Sequence, residues 1–189
     1  QLISTRYDVP ANDAFALGLL HDLGSGLLYM TDPTAWAEVE RHGGVGGELE
    51  VELFGITHQA IGARVLEAWR FPREFCDAVA RHHRCLSRSE APFTRCLIAG
   101  RLVATLALDL PVPGQPTSDP LADHPGERRV GTDADEHGST ATTEAEAAHP
   151  RSVLLEHDFD DAQLDRIVDR VALEYGALGA VLAETVGAA

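Results

Sequence analysis

Apolar residues recur every three or four positions in successive segments of this chain, and proline or glycine separates these segments. The clearest segment starts at Thr57, carries Ile61 and Leu66 on one face, and ends before Pro72. Hydrophobic residues form 44% of the sequence but aromatic residues only 6%, a balance that suits packed helices better than a β-sandwich. The spacing and this balance together predict an all-α fold.

The same spacing assigns helices along most of the chain. The predicted helices cover residues 12–29, 31–42, 48–54, 57–70, 73–83, 93–110 and a last segment that begins at about residue 158. This last helix carries an apolar stripe that includes Leu164, Ile167 and Val171. The stripe must bury against the preceding helices or against a partner chain.

Residues 111–151 differ in composition from the rest of the chain. They consist largely of proline, glycine, threonine, serine and acidic residues, with almost no large apolar side chain. Because such a segment buries too little surface to offset the entropy of ordering, we expect a disordered acidic linker. The chain then divides into a helical domain at residues 1–110, this linker, and a C-terminal helix at residues 152–189 that packs on the domain.

Charge and cysteine content exclude several classes of protein. The sequence has 30 acidic residues, 15 arginines and no lysine, and its formal net charge is −15. An acidic surface repels phosphate backbones, so direct binding of nucleic acid is not expected. No apolar run approaches the roughly 20 residues of a membrane span, so no membrane association is expected. Cys76, Cys85 and Cys96 lack metal-binding spacing and suit reduced thiols in the cytoplasm.

A histidine and an aspartate stand side by side near the end of the first predicted helix, in residues 19–24 (LLHDLG). Imidazole nitrogen and carboxylate oxygen are ligands for divalent metals such as zinc, manganese or iron. The same pair can instead form an imidazole–carboxylate contact that closes a helix end without a metal. The residues alone leave both interpretations open.

The ordered set of motifs around this pair resembles the HDOD family, the HD-related output domains of bacterial signalling proteins. Residues 14–24 (AFALGLLHDLG) resemble the HD-motif helix, and residues 54–63 (FGITHQAIGA), residues 69–72 (WRFP) and the pair His82-His83 follow in order. The resemblance covers roughly residues 10–110. It implies an all-α, HD-superfamily-like helical bundle in the bacterial cytoplasm. It also implies a helical subdomain that would precede Gln1.

The resemblance implies a candidate metal site, and the sequence departs from the catalytic pattern there. HD enzymes place an aspartate in the helix after the tandem histidines, where this chain has Gly100, and often a lysine where it has Ser25. The upstream histidine of those enzymes would lie before Gln1 or is missing. The remaining donors, which we treat as a vestigial metal site, are His21, Asp22, His58, His82 and His83. Adjacent helical residues point about 100° apart, so we expect only His82 of the tandem pair to face inward.

The departures favour a regulatory protein over an enzyme. We expect a non-catalytic signal-transduction module that acts through protein–protein or small-ligand contacts, with protein partners in a signalling pathway and no required cofactor. The alternative is a divergent metal-dependent phosphohydrolase or phosphodiesterase, in which a divalent metal would activate water. A third interpretation is a structural metal or haem-like sensor. The sequence does not predict the oligomeric state.

Overall fold

The computed structural model describes residues 2–42, 47–108 and 149–187, with side chains described as far as residue 177. Every regular element in these ranges is helical, so the predicted all-α fold is confirmed. A 3₁₀ helix covers Ser4–Tyr7. The α-helices are α1 (Ala11–Leu20), α2 (Leu23–Thr31), α3 (Pro33–Arg41), α4 (Gly47–Phe54), α5 (His58–Ala68), α6 (Arg73–Arg81), α7 (Pro92–Ala107), α8 (Pro150–His157) and α9 (Asp161–Gly187).

The first predicted helix is divided into two. The prediction of one helix over residues 12–29 was wrong, because the chain turns at His21 and Asp22 between α1 and α2. The turn lets α2 pack against the start of α5 at the main-chain level. A Cβ atom on Gly24 would lie 1.9 Å from the carbonyl oxygen of His58, so only glycine permits this approach.

Helices α3 and α5 begin at capping residues that the sequence pattern indicates. The side chain of Asp32 accepts from the backbone N–H groups of Thr34 and Ala35 at the start of α3. Thr57 accepts from the backbone N–H of Ala60 and sets the first residue of α5. Each cap satisfies donors that have no partner within the helix, and so fixes where the helix starts.

Helix α7 is central to the packing. It contacts α1, α6, α8, α9 and the 3₁₀ helix. Leu97 joins the apolar cluster that holds Leu17 and Leu66, while Ile98 joins a second cluster with Leu154 and Leu164. A third cluster, around Leu28, Trp36 and Val39, lies under α3. Helix α7 therefore connects the N-terminal helices to α8 and α9.

The C-terminal helices cover one side of this core. Leu154 of α8 and Leu164 of α9 are fully buried, and Ile167 and Val171 pack against the same cluster. Farther along α9, Tyr175 is exposed. The linker predicted at residues 111–151 lies outside the described residues as far as residue 148, and α8 begins before the expected boundary at residue 152.

Candidate metal centre

Three segments of the chain bring the candidate ligands together. Asp22 lies between α1 and α2, His58 is the first residue of α5, and His82 and His83 follow the end of α6. One donor atom from each of these four residues lies within 4.8 Å of the others. His58 and His82 are buried, His83 is half-buried, and Asp22 closes the group from its exposed side. We call these four residues the His/Asp cluster.

Glu50 of α4 orients His58. The Glu50 side chain is fully buried, and its Oε1 lies 2.6 Å from Nδ1 of His58. Its Oε2 accepts from the backbone N–H of His58 at 2.7 Å. Because the Nδ1–H donates to Glu50, the Nε2 lone pair of His58 faces the cluster. A carboxylate behind an imidazole in this way is a common support for a metal-ligating histidine.

Arg101 of α7 engages the tandem histidines from the other side. Its guanidinium donates to the carbonyl of His82 at 2.6 Å and to Nδ1 of His83 at 3.1 Å. Burial lowers the pKa of His83 well below its usual range, and the Arg101 charge acts in the same direction. The neutral ring accepts on Nδ1 and therefore carries its proton on Nε2, which lies 3.0 Å from Nε2 of His58. Arg101, His83, His58 and Glu50 thus form one continuous hydrogen-bonded chain.

His82 directs a buried lone pair at Asp22. Its Nδ1 lies 2.7 Å from the carbonyl oxygen of Val79 and donates to it. Its Nε2 lies 3.3 Å from Oδ1 of Asp22, and it is buried without a hydrogen-bond partner among the described residues. Burial lowers the pKa of His82, although Asp22 acts in the opposite direction. The neutral ring leaves two acceptors facing each other, an arrangement that a bound cation would relieve.

His21 contacts the cluster through Asp22 rather than as a fifth donor. Its Nδ1 lies 2.7 Å from the carbonyl oxygen of Gly18, and its Nε2 lies 3.1 Å from Oδ2 of Asp22. Burial would raise the pKa of the Asp22 carboxyl, but the adjacent His21 holds it well below its usual range. Asp22 is therefore ionised, and the His21 ring positions it.

Comparison with known protein families finds a match over the first part of the chain. The model of the HDOD domain matches residues 1–85, a range that contains all five predicted donors and stops just after His83. Residues 1–85 match this family, and the match spans just under half of the chain. The HDOD family is related to the HD superfamily. Comparison with curated proteins found no relative, and comparison with solved structures found no match.

The His/Asp cluster fits a metal at three of its four donors. His58 and His82 each donate Nδ1–H to a fixed acceptor and turn Nε2 inward, and Asp22 supplies an ionised carboxylate. His83 does not fit as it stands, because Arg101 donates to its Nδ1 and leaves the proton on Nε2. Such a metal would polarise a bound water or ligand oxygen. Binding of the metal by all four donors would require His83 to carry its proton on Nδ1 instead of Nε2.

The expectation that only one of the tandem histidines faces inward was wrong. Helix α6 ends at Arg81, and His82 and His83 lie in the turn that follows it. Their ring centroids are 4.3 Å apart, and both rings join the cluster. Glu50 and Arg101, which were not among the predicted site residues, complete it. The only sequence signal for Glu50 was an acid eight positions before His58 on a short helix.

Proposed function

We propose that this HDOD-containing chain is a non-catalytic regulatory module that works by binding a protein partner or a small ligand. The observation that carries the proposal is the hydrogen-bonded chain from Arg101 through His83 and His58 to Glu50. In this chain the Nε2 lone pair of His58 accepts a hydrogen bond from His83 rather than binding an ion. The cluster is therefore arranged as a structural connection between α4, α5 and α7.

The small number of carboxylates in the His/Asp cluster also favours a regulatory role. Asp22 is the single carboxylate in the cluster, because both oxygens of Glu50 are occupied by His58. Gly100 has no ligand to offer at the position where HD enzymes place a further aspartate. Arg101 adds a positive charge beside the histidines, which opposes the approach of a divalent cation.

A partner surface is available on α1. Phe15 and Leu19 lie one turn apart, and their exposed fractions are 69% and 68%. Large apolar side chains this exposed, adjacent on one helix, mark a surface suited to protein contact. Family kinship supports a setting in bacterial cytoplasmic signalling. In the described residues, no helix has both the length and the apolar character needed to cross a bilayer.

Hydrolysis assays on the full chain test the proposal. We would supply Mg²⁺, Mn²⁺, Fe²⁺ or Zn²⁺ and measure turnover of nucleoside triphosphates, cyclic dinucleotides and p-nitrophenyl phosphate. We expect the wild type and Asp22→Asn to give the same turnover with every substrate and metal, at the level of the background. Asp77→Asn, which makes the same change on the exposed side of α6, is the matched control. Turnover that Asp22→Asn abolishes and Asp77→Asn leaves intact would overturn the proposal.

One observation favours a metal-dependent phosphohydrolase as the second candidate. The unpartnered Nε2 of His82 faces the ionised Asp22, and a metal ion between them would satisfy both groups. Elemental analysis of protein purified without chelators separates the two candidates when it is combined with the assays above. An enzyme requires a stoichiometric metal together with turnover that depends on Asp22.

A further inference from the structure

A cavity of about 460 Å³ opens beside the His/Asp cluster. Its walls come from the N-terminal segment, α1, α7 and α9, and the volume lies in the range of small-molecule sites. His21 and Arg101 line this cavity and also contact the cluster. The cavity and the cluster therefore share a polar wall.

Two glycines account for the open space. Gly18 of α1 and Gly100 of α7 both line the cavity, and a Cβ atom added at either would meet nothing within 4 Å. Neither has the positive φ that would demand glycine, and a helical glycine costs about 1 kcal/mol relative to alanine. The residue that departs from the catalytic pattern at position 100 thus leaves room for a ligand.

The lining indicates the class of ligand. Most of the wall is apolar, with Leu17, Leu97 and Val171 among its members. Arg101 lies at the inner wall and uses only part of its five N–H donors on His82 and His83. At the rim, Arg170 and Glu174 pair with each other at 2.6 Å and offset each other's charge. Among the charged side chains that line the cavity, Arg101 is therefore the one without a carboxylate in direct contact.

We propose that this cavity binds a small organic anion, with its apolar body between α1 and α7 and its anionic group against Arg101. The inference extends the proposed regulatory function by naming a ligand class. An anion on the remaining N–H groups of Arg101 binds the same guanidinium that donates to His83, so occupancy of the cavity alters the hydrogen-bonded chain through the cluster. Binding at the cavity can be tested independently of any turnover.

Fluorescence titration of the full chain with 1-anilinonaphthalene-8-sulfonate tests the proposal, because this probe is itself an apolar organic anion. We expect saturable binding to one site, displaced by octanoate and much less by octanol. Gly100→Leu fills the cavity and should weaken binding about tenfold or more, equivalent to about 1.4 kcal/mol. Gly26→Leu places the same side chain on an open, exposed face of α2 and should leave binding unchanged.

Circular dichroism and thermal melting establish that each variant is folded. If Gly100→Leu does not fold, Gly18→Leu fills the opposite wall and takes its place. Unchanged binding in the folded variant, equal displacement by octanol, or no binding to the wild type would each overturn the proposal. A wild-type dimer that dissociates on Gly100→Leu, with no binding of the probe, would assign the cavity to a second copy of the chain. The hydrolysis assays above decide the regulatory role separately.

Discussion

The carboxylate of Glu50 binds both the side chain and the backbone of His58, at 2.6 Å and 2.7 Å. Both residues are buried, at 0% and 3% exposure. One acidic side chain therefore fixes the direction of the imidazole and the first N–H group of α5 together. The geometry of the cluster depends on this contact more than on any other single pair.

Replacing Glu50 with glutamine should destabilise the fold. The amide of Glu50→Gln can accept only one of the two donors of His58 and turns its own donor toward the other. We expect a loss of about 2 kcal/mol in the free energy of unfolding, the usual cost of a buried donor left unpaired. Urea denaturation measures it. Glu52→Gln, on the exposed side of the same helix, should change stability by less than about 0.5 kcal/mol, and equal effects of the two would contradict the assigned contact.

Two glycines of α2 should respond in opposite ways to the same substitution. Gly24→Ala forces a methyl group into the carbonyl of His58, so the free energy of unfolding should fall by about 1–3 kcal/mol or more. Gly26→Ala meets open space and should raise it by up to about 1 kcal/mol. Thermal melting of both variants checks the pair. A Gly24→Ala variant as stable as Gly26→Ala would rule out the close main-chain contact.

Removing the charge of Arg101 should favour metal binding. In Arg101→Gln, His83 can hold its proton on Nδ1 and present the Nε2 lone pair to the other donors. We expect zinc to bind about tenfold more tightly than to the wild type, the lower end of effects seen for residues behind metal ligands. Competition with a chromogenic chelator measures the affinity. Arg64→Gln removes the same charge from an exposed site on α5, and equal affinities for both variants would show that Arg101 does not oppose the metal.

Alkaline pH should weaken the fold through two buried groups. Burial raises the pKa of Cys96 to about 11, and burial together with Asp158 raises that of Tyr7 far above its usual range. The unfolded chain therefore releases these protons first, so the free energy of unfolding decreases as pH rises above about 9. Cys96 alone accounts for about 2 kcal/mol by pH 11.

Urea denaturation between about pH 8 and about pH 11 measures this dependence. The double variant Tyr7→Phe/Cys96→Ala should start less stable, because Tyr7 donates to Asp158 at 2.7 Å. Its stability should nevertheless vary less with pH over this interval. A double variant whose slope matches that of the wild type would show that other groups cause the alkaline loss.

Local patterns in the sequence predicted the helices well where each carried its own boundary signals. Asp32 before Pro33 and Thr57 before the fifth helix mark starts that capping chemistry explains. The break at His21 and Asp22 was missed because its cause lies far along the chain. Gly24 approaches the backbone of His58, and the spacing of apolar residues does not predict that contact.

In the site too, local sequence motifs predicted some residues, whereas others are found only from contacts between distant parts of the chain. Motif order predicted five donors, and the fold gathers four of them within 4.8 Å while His21 positions Asp22. Glu50 and Arg101 escaped prediction because charged side chains on helices usually face solvent, and only packing reveals that these two do not. Their roles depend on α4 and α7, which approach the cluster from different parts of the chain.

The match to the HDOD family ends at residue 85, but α7 lies beyond it and supplies both Arg101 and apolar residues of the core. The packed core therefore extends past the matched residues. A fragment that ends at residue 85 would remove Leu97 from the cluster with Leu17 and Leu66, and would remove Arg101 from His83. We therefore expect residues 1–85 alone to be less stable than the full chain, so experiments on the site need the residues of α7 as well.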